Sequence, residues 1–285
     1  MITVFSDNKE IPVNKVEFSD GGLTFKLDEL PDGPRYISIN VDPCTPVKEI
    51  REEVGMAVSC IENFYGGYLV EQEFSAILNM PYLGYARADR VFEEGNPSPL
   101  FDFVSWIEQQ GFDEVHTCDI HNELPVRQIL GDVLHVKQQL SCFRESIAFD
   151  FDEYYDFVVA PDKGAVEKAQ TIASHLETDI VFAGKKRCIK TGSIIAIEIP
   201  KVDLVGAKVL IPDDIFDAGG TFIGLAKALK DAGAVQVDLY VSHMIGAKGL
   251  KCLTGVIDNI YCYQTVGNFV NKQNVTDFNI GNYVK

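Results

Sequence analysis

The residues best placed for chemistry are two adjacent acids, Asp213 and Asp214, between an apolar run and the segment DAGGT. Carboxylates bind sugar hydroxyls or Mg²⁺, which prefers hard oxygen ligands. The pair Gly219-Gly220 lets the backbone approach a phosphate closely. A helix that begins there, with Thr221 in its first turn, presents N–H groups and the positive end of its dipole. The segment therefore predicts a site for a phosphorylated sugar, whereas its bland alternative is a strand-to-helix turn with an aspartate cap.

Three other loops carry groups whose role depends on their surroundings. Asp162 lies in PDKGA, directly after an apolar strand, and His121 lies shortly after a strand that ends at Asp119. Lys185 and Arg187 lie in GKKRCIKTG, a basic run that elsewhere is usually a solvated face. A lone histidine is more often structural than functional. No role is predicted for the other histidines, which are His116, His135, His175 and His243.

The elements that position these loops form two similar halves. Short β-branched and aromatic runs predict strands at 2–5, 22–27, 35–41, 74–80 and 114–119. Helical periodicity covers 46–65, and Ser98-Pro99 marks the N-cap and first residue of a helix that ends at Gly111. In the second half, strands are predicted at 156–160, 179–183, 194–199, 207–211, 237–241 and 257–263, and helices at 166–176 and 222–232.

This alternation predicts an α/β fold in which a mainly parallel sheet is covered by helices on both faces. Ligands bind such sheets outside the carboxyl ends of the strands, and the loops described above lie there. The chain of 285 residues is long enough for two domains of this kind. We place them at residues 1–140 and 141–285.

Composition excludes several classes of function. A formal net charge of −17 provides no broad basic face for nucleic acid. No apolar run approaches the length of a membrane span, and the first residues lack the pattern of a secretory signal. The 7 cysteines are scattered and never spaced C-x-x-C, which favours reduced thiols and a cytoplasmic location and argues against zinc or a disulfide framework.

The DAGGT segment resembles the ribose-phosphate loop of the phosphoribosyltransferase superfamily, and specifically that of the ribose-phosphate pyrophosphokinases. Four further segments resemble motifs of that family, in the same order. FSDGG at 18–22 is similar to FSDGE, and PYLGYARADR at 81–90 to PYxGYARQDR. TCDIHN at 117–122 is similar to T-x-D-L-H, and VVAPDKGAVEKA at 158–169 to VVSPDxGGxxRA. The resemblance covers nearly the whole chain and implies two phosphoribosyltransferase-like domains, each a mainly parallel sheet flanked by helices.

The resemblance also implies an activity, in which the β,γ-pyrophosphoryl group of Mg-ATP moves to the C1 hydroxyl of a 5-phosphorylated ribose. The implied catalytic residues are Lys185, Arg187 and His121. The implied ATP-binding residues are Phe18, Asp20, Arg87, Asp89 and His121. The implied metal ligands, for Mg²⁺, are His121, Asp162, Asp213 and Asp214. The implied ribose-phosphate residues are Asp213, Asp214, Asp217, Ala218, Gly219, Gly220 and Thr221. Members of the family form homo-oligomers, dimers or hexamers.

Several positions beside these predicted ligands depart from the family pattern, namely Gly22, Ala88, Lys163, Ala165 and Ala218. At Ala218 the family has a threonine whose hydroxyl donates to the 5-phosphate. The helix that the family carries between its first strand and FSDG is also absent from this chain.

The acceptor therefore stays open between ribose 5-phosphate, which gives phosphoribosyl pyrophosphate, and ADP-ribose, which some phage-encoded relatives use to rebuild NAD. A non-catalytic regulatory relative is the alternative class, and a phosphoribosyltransferase proper is a more distant one. The regulatory alternative is disfavoured because a decayed enzyme should lose its costly charged groups first, and these are all present.

Overall fold

The computed structural model describes residues 1–91, 93–147, 154–187, 194–266 and 280–282. The chain forms two compact units, Met1–Lys137 and Gln138–Lys285. Within the described ranges, no helix combines the length and the apolar character needed to cross a membrane.

The strands of the first unit are β1 (Ile2–Ser6), β2 (Lys9–Ile11), β3 (Val13–Glu17), β4 (Leu23–Leu27), β5 (Tyr36–Val41), β6 (Ser75–Asn79), β7 (Glu114–Cys118) and β8 (Leu134–Lys137). Six of them form one sheet with the order β2-β1-β5-β6-β7-β8. The helices of the unit are α1 (Val47–Tyr65), α2 (Pro99–Gln109) and α3 (Glu123–Leu130). β1 is antiparallel to both neighbours, and β5 to β8 are parallel. β3 and β4 form a separate antiparallel hairpin.

The helices of this unit pack against one face of the sheet. Ile39, Leu78 and Val115 point to the same face of the sheet and lie in one buried cluster. Val54 of α1 and Phe103 of α2 belong to the same cluster. The opposite face is partly exposed, so the predicted cover on both faces is not found in this unit. The reason is local, since the segment between β1 and β5 forms β2, β3 and β4 and no helix.

The strands of the second unit are β9 (Phe157–Ala160), β10 (Asp179–Phe182), β11 (Gly184–Arg187), β12 (Ile194–Glu198), β13 (Lys208–Phe216), β14 (Gln236–Met244), β15 (Ile260–Thr265) and β16 (Ile280–Asn282). Six of them form a fully parallel sheet with the order β10-β9-β13-β14-β15-β16, and helices cover both of its faces. The helices of the unit are α4 (Gln139–Ile147), α5 (Val166–His175) and α6 (Gly220–Asp231). Val209 lies in a cluster with Leu225 of α6, whereas its neighbour Leu210 lies in another with Ile172 of α5. The predicted α/β class is confirmed.

Two local predictions are corrected. The strand predicted to end at 211 continues as β13 to Phe216, because its parallel pairing with β14 extends through Pro212 and Asp213. The basic segment, for which no element was predicted, begins as strand β11, which forms an antiparallel hairpin with β12.

Candidate active-site loops

The second unit holds the adjacent acids at the carboxyl end of β13. Asp214 is buried, and its backbone N–H donates to Oδ1 of Asp213 over 2.9 Å. Desolvation by the surrounding protein raises the pKa of Asp213 well above its ordinary value, although part of the residue is exposed. The negative charges of Asp214 and Asp162 raise it further. Both acids belong to strand β13 rather than to the loop after it. Their surroundings disfavour the ionised form of Asp213.

Asp162 occupies the loop between β9 and α5 and closes a turn just before that helix begins. Its Oδ1 accepts from the N–H of Gly164 over 2.9 Å and from that of Ala165 over 3.3 Å. Because its charge acts on Asp213, the structure brings these two sequence-predicted acids together. Lys168 of α5 adds one cation, with Nζ at 3.9 Å from Oδ2 of Asp214. Lys168 was not singled out from the sequence, where it is one basic residue on a helix.

The donor set of this loop cluster fits Mg²⁺. Mg²⁺ takes carboxylate oxygens and keeps several waters, and it favours places where negative charges would otherwise repel one another. Asp213, Asp214 and Asp162 provide such oxygens; burial raises the pKa of Asp213, and the negative charges of the two other acids raise it further.

The loop from Asp217 to Thr221 joins β13 to α6 and opens the helix at Gly220. Gly219 has φ 77°, and a Cβ there would meet Cys252 Sγ and the ring of Phe216, each at 3.2 Å. Glycine is thus required at 219 by conformation and by space. No side chain caps the helix at this N-cap, so its first N–H groups point out of the helix as anion-binding groups do. Ala218 and Thr221 are partly exposed beside them.

Lys185 and Arg187 belong to β11, where they pair in register with Ile197 and Ile194 of β12. The register shifts between Lys186 and Arg187. The side chains of Lys185 and Arg187 lie outside the described part of the structure, so their predicted catalytic role rests on the resemblance.

In the first unit, Phe18 lies at the tip of the β3–β4 hairpin and is 55% exposed. A tight turn holds it there, since its N–H donates to the carbonyl of Gly22 over 2.7 Å and its carbonyl accepts from Gly21 over 2.9 Å. Asp20 closes the turn by accepting from the N–H of Gly22 over 3.0 Å. An exposed aromatic ring on a rigid turn is suited to stacking against a planar base.

The other sequence-predicted residues of this unit lie in the loops after β6 and β7. Arg87 and His121 are exposed there. Asn122 Nδ2 donates to Oδ2 of Asp89 over 2.8 Å and thereby joins the two loops. The Asp89 side chain is only 8% exposed, which suits a residue that positions the loops. Asn122 was missed as a functional residue because only the fold shows that it reaches Asp89.

Glycine at 84 is fixed by packing of the same loop against α1 and α2. A Cβ at this position would lie 2.6 Å from Cγ1 of Val47 and 3.3 Å from the ring of Phe103. The segment PYLGYARADR therefore lies directly on the helices, which holds Arg87 at the sheet edge.

Comparison with known proteins gives one family model and many relatives. The model described as "Phosphoribosyl transferase domain" matches residues 137–260. A ribose-phosphate pyrophosphokinase of Pyrococcus furiosus is 30% identical over 197 residues, which cover 68% of this chain and 67% of that protein. One from Pyrococcus abyssi is 26% identical over 273 residues, which cover 90% and 89%. One from Pasteurella multocida is 27% identical over 260 residues, which cover 87% and 77%.

A solved structure shows the same fold. The crystal structure of phosphoribosylpyrophosphate synthetase from Mycobacterium smegmatis matches with a TM-score of 0.69 at 20% identity, covering 88% of this chain and 80% of that one.

Proposed function

Because the chain belongs to the ribose-phosphate pyrophosphokinase family, we propose that it transfers the β,γ-pyrophosphoryl group of Mg-ATP to the C1 hydroxyl of a 5-phosphorylated ribose. AMP is the other product. The observation that carries the proposal is the end of β13, where two acids precede a glycine-opened helix without a side-chain cap. The proposal is supported because groups suited to sugar hydroxyls, a divalent ion and a phosphate occur at the end of β13 and in the loop that follows it.

The reaction makes one bond and breaks one. The C1 oxygen bonds to the β-phosphorus, and the bond from that phosphorus to the oxygen bridging the α- and β-phosphates breaks, so AMP leaves with that oxygen. Such transfers depend on positioning and charge neutralisation rather than on a covalent enzyme intermediate. Asp213, Asp214 and Asp162 would hold Mg²⁺, which would supply positive charge to neutralise the phosphates.

Recognition of the ribose phosphate falls to the end of β13 and to the β13–α6 loop. Asp213 and Asp214 accept hydrogen bonds from the ribose hydroxyls, and the N–H groups from Gly219 onwards donate to the 5-phosphate. Lys185 and Arg187 stabilise the charge that develops in the transition state.

Recognition of the nucleotide falls to the first unit. Phe18 stacks on adenine and Asp20 accepts from its amino group, while Arg87 and His121 bind the phosphates. Support comes from the exposure of Phe18, Arg87 and His121, since none of these side chains is buried in the core.

Ala218 bears on the choice between ribose 5-phosphate and ADP-ribose as the acceptor. A terminal 5-phosphate carries a charge of about −1.5 to −2 and needs donors on several sides. A diester such as that of ADP-ribose has one charge and fewer free oxygens. Ala218 is partly exposed and offers no hydroxyl, which supports ADP-ribose as a second acceptor beside ribose 5-phosphate and links the reaction to NAD as well as nucleotide synthesis.

Incubation of the purified protein with Mg-ATP and either acceptor, followed by measurement of AMP, tests the proposal. We expect AMP only when an acceptor is present. The Ala218→Thr variant should shift kcat/KM toward ribose 5-phosphate by about tenfold to a hundredfold, the worth of one hydrogen bond to a charged group. An unchanged ratio would remove Ala218 as a determinant of the acceptor, and absence of AMP with both would reject the activity.

A further inference from the structure

The partly exposed face of the first unit's sheet carries a row of polar side chains. Asn40 pairs in register with Asn79, Asn79 with His116, and His116 with His135, across β5, β6, β7 and β8. Asn79 Nδ2 donates to Oδ1 of Asn40 over 2.6 Å. In sheets covered on both faces these positions are typically apolar. The row therefore belongs to a surface that meets solvent or a ligand.

Three metal-ligand side chains converge at one end of this row. Glu114 precedes His116 by two residues on β7 and so lies on the same face. Its Oε2 lies 2.6 Å from Nε2 of His116. The ring centroids of His116 and His135 lie 4.8 Å apart, and the angle between the ring planes is 25°. Ligand atoms of all three residues lie within 4.8 Å of one another, and no other group of this kind occurs among the described residues.

We propose that Glu114, His116 and His135 bind a divalent transition-metal ion of the Zn²⁺ type. Zn²⁺ takes imidazole nitrogens and carboxylate oxygens at about 2.0–2.2 Å, which places neighbouring ligand atoms about 3.4 Å apart. To bind the ion, the 2.6 Å distance between Glu114 Oε2 and His116 Nε2 has to increase slightly. The longer distances among the ligand atoms of the three residues, which reach up to 4.8 Å, have to decrease. Side-chain rotation can make both changes, because the side chains of His116 and Glu114 are 43% and 40% exposed and so have room to move.

The ligand types separate this site from the predicted Mg²⁺ site. Imidazole suits Zn²⁺, Cu²⁺ and Ni²⁺, whereas Mg²⁺ prefers oxygen ligands and retains its waters. An ordinary Glu–His hydrogen bond explains the contact between Glu114 and His116. Such a hydrogen bond does not account for a second histidine, His135, at the position of β8 that pairs with His116.

The fourth coordination position of the ion would face a cleft of about 410 Å³ that both Glu114 and His116 line. Tyr36, Ser38 and Asn79 line the same cleft with polar groups. Three protein ligands with an open fourth position typically leave room for a water or a small anion. The ion also bridges β7 and β8, the last two strands of the sheet, and so should stabilise that edge.

A titration with Co²⁺ tests the proposal on the full chain after removal of metals by a chelator. Excess Mg²⁺ is present throughout, so that oxygen-rich sites are filled. We expect one equivalent of Co²⁺ to bind with the visible absorption bands of a four- or five-coordinate ion, and Zn²⁺ to displace it.

Two ligand variants and one control complete the design. Glu114→Gln and His135→Asn change partly or fully exposed side chains, so both should remain folded. Each should weaken Co²⁺ binding at least about tenfold and abolish the rise in Tm that Zn²⁺ gives. His175→Asn, on α5, removes a histidine that is not in the cluster and should behave like the parent protein.

Either of two results would overturn the site: no stoichiometric binding in excess Mg²⁺, or equal affinity in the parent and both ligand variants. X-ray absorption of the Zn²⁺-loaded parent protein gives an independent answer. Two imidazole ligands support the proposal, and sulfur ligands reject it. Neither outcome depends on the pyrophosphokinase activity.

Discussion

Asp213 has a raised pKa in the folded protein, which opposes the ionised state that its proposed role as a ligand needs. The folded protein holds the proton of this carboxyl more tightly than the unfolded chain does, because desolvation and neighbouring acids raise its pKa. As the pH rises from about 4 through that raised value, the unfolded chain releases its proton first, so stability falls. The ionised form that the proposed Mg²⁺ binding requires is therefore the form that destabilises the free protein.

The Asp213→Asn variant should be more stable than the parent protein when Mg²⁺ is absent, because asparagine cannot ionise. We expect its Tm to be higher by roughly 2–4 °C at pH 8, which corresponds to about 1 kcal/mol. The difference in Tm between the variant and the parent should shrink toward pH 4. The variant should also lose turnover. Thermal unfolding at both pH values measures this.

Asp231→Asn is the control for that comparison, because Asp231 is an exposed acid at the end of α6. Its Tm should differ little from that of the parent at either pH. A lower Tm for Asp213→Asn at pH 8 would show that the carboxylate stabilises the fold.

The role proposed for Lys185 and Arg187 is to stabilise the transition state. Lys185→Ala and Arg187→Ala should each lower kcat by about 10²–10³, the effect of removing one group that stabilises developing charge. KM for ATP should change little, because such groups contribute mainly in the transition state. Steady-state kinetics with Lys201→Ala, which removes an exposed cation after β12, provide the comparison. Equal losses of ATP affinity and turnover would assign both residues to substrate binding.

At the scale of elements, the start of α6 depends on two glycines that differ in their surroundings. A Cβ at Gly219 meets Phe216 and Cys252, whereas one at Gly220 meets nothing within 4 Å. Gly219→Ala should cost about 1–2 kcal/mol from its left-handed backbone and raise the acceptor KM at least tenfold. Gly220→Ala should leave stability unchanged or raise it by up to about 1 kcal/mol, since alanine favours helix.

Denaturant unfolding measures the change in stability, and steady-state kinetics measure the change in the KM for the acceptor. Gly220→Ala serves only as the stability control, because its backbone belongs to the predicted phosphate site. Equal stability of the two variants would mean that the loop relaxes around a side chain at position 219.

The helices with long apolar periodicity could be predicted from the sequence, and α1, α2, α5 and α6 are found where the pattern indicated. α3 was missed because Pro125 interrupts its pattern, although proline is tolerated in the first turn. The end of β13 was misjudged for a related reason. Proline in a strand usually argues against its continuation, but pairing with β14 overrides that preference here.

The candidate site was predictable as a set of loops but not as a set of contacts. The residues of the β13–α6 loop are consecutive, so their proximity is visible in the sequence. The approach of Lys168 to Asp214, and that of Asn122 to Asp89, depends on how separate elements pack. Likewise, the pairing of His116 with His135 depends on which strands are neighbours.

At the scale of the whole molecule, a chain with 42 acidic and 25 basic residues is proposed to bind a polyanionic nucleotide. Charge repulsion disfavours such binding unless cations intervene. A chelator of divalent ions should therefore abolish productive ATP binding as well as AMP formation, and added Mg²⁺ should restore both. Calorimetric titration with ATP, with and without the chelator, measures the binding. Full activity in the chelator would show that the acids of the β13 loop have another role.

The most direct test of the central claim follows the two transferred phosphates of ATP. The purified protein is incubated with Mg²⁺, acceptor and ATP labelled at the β-phosphorus, and the products are separated. The account predicts that the label appears on the acceptor in the same amount as AMP appears in solution, and that Asp213→Asn yields neither. Formation of ADP with the label retained on it would contradict the account, because the protein would then transfer only the γ-phosphoryl group.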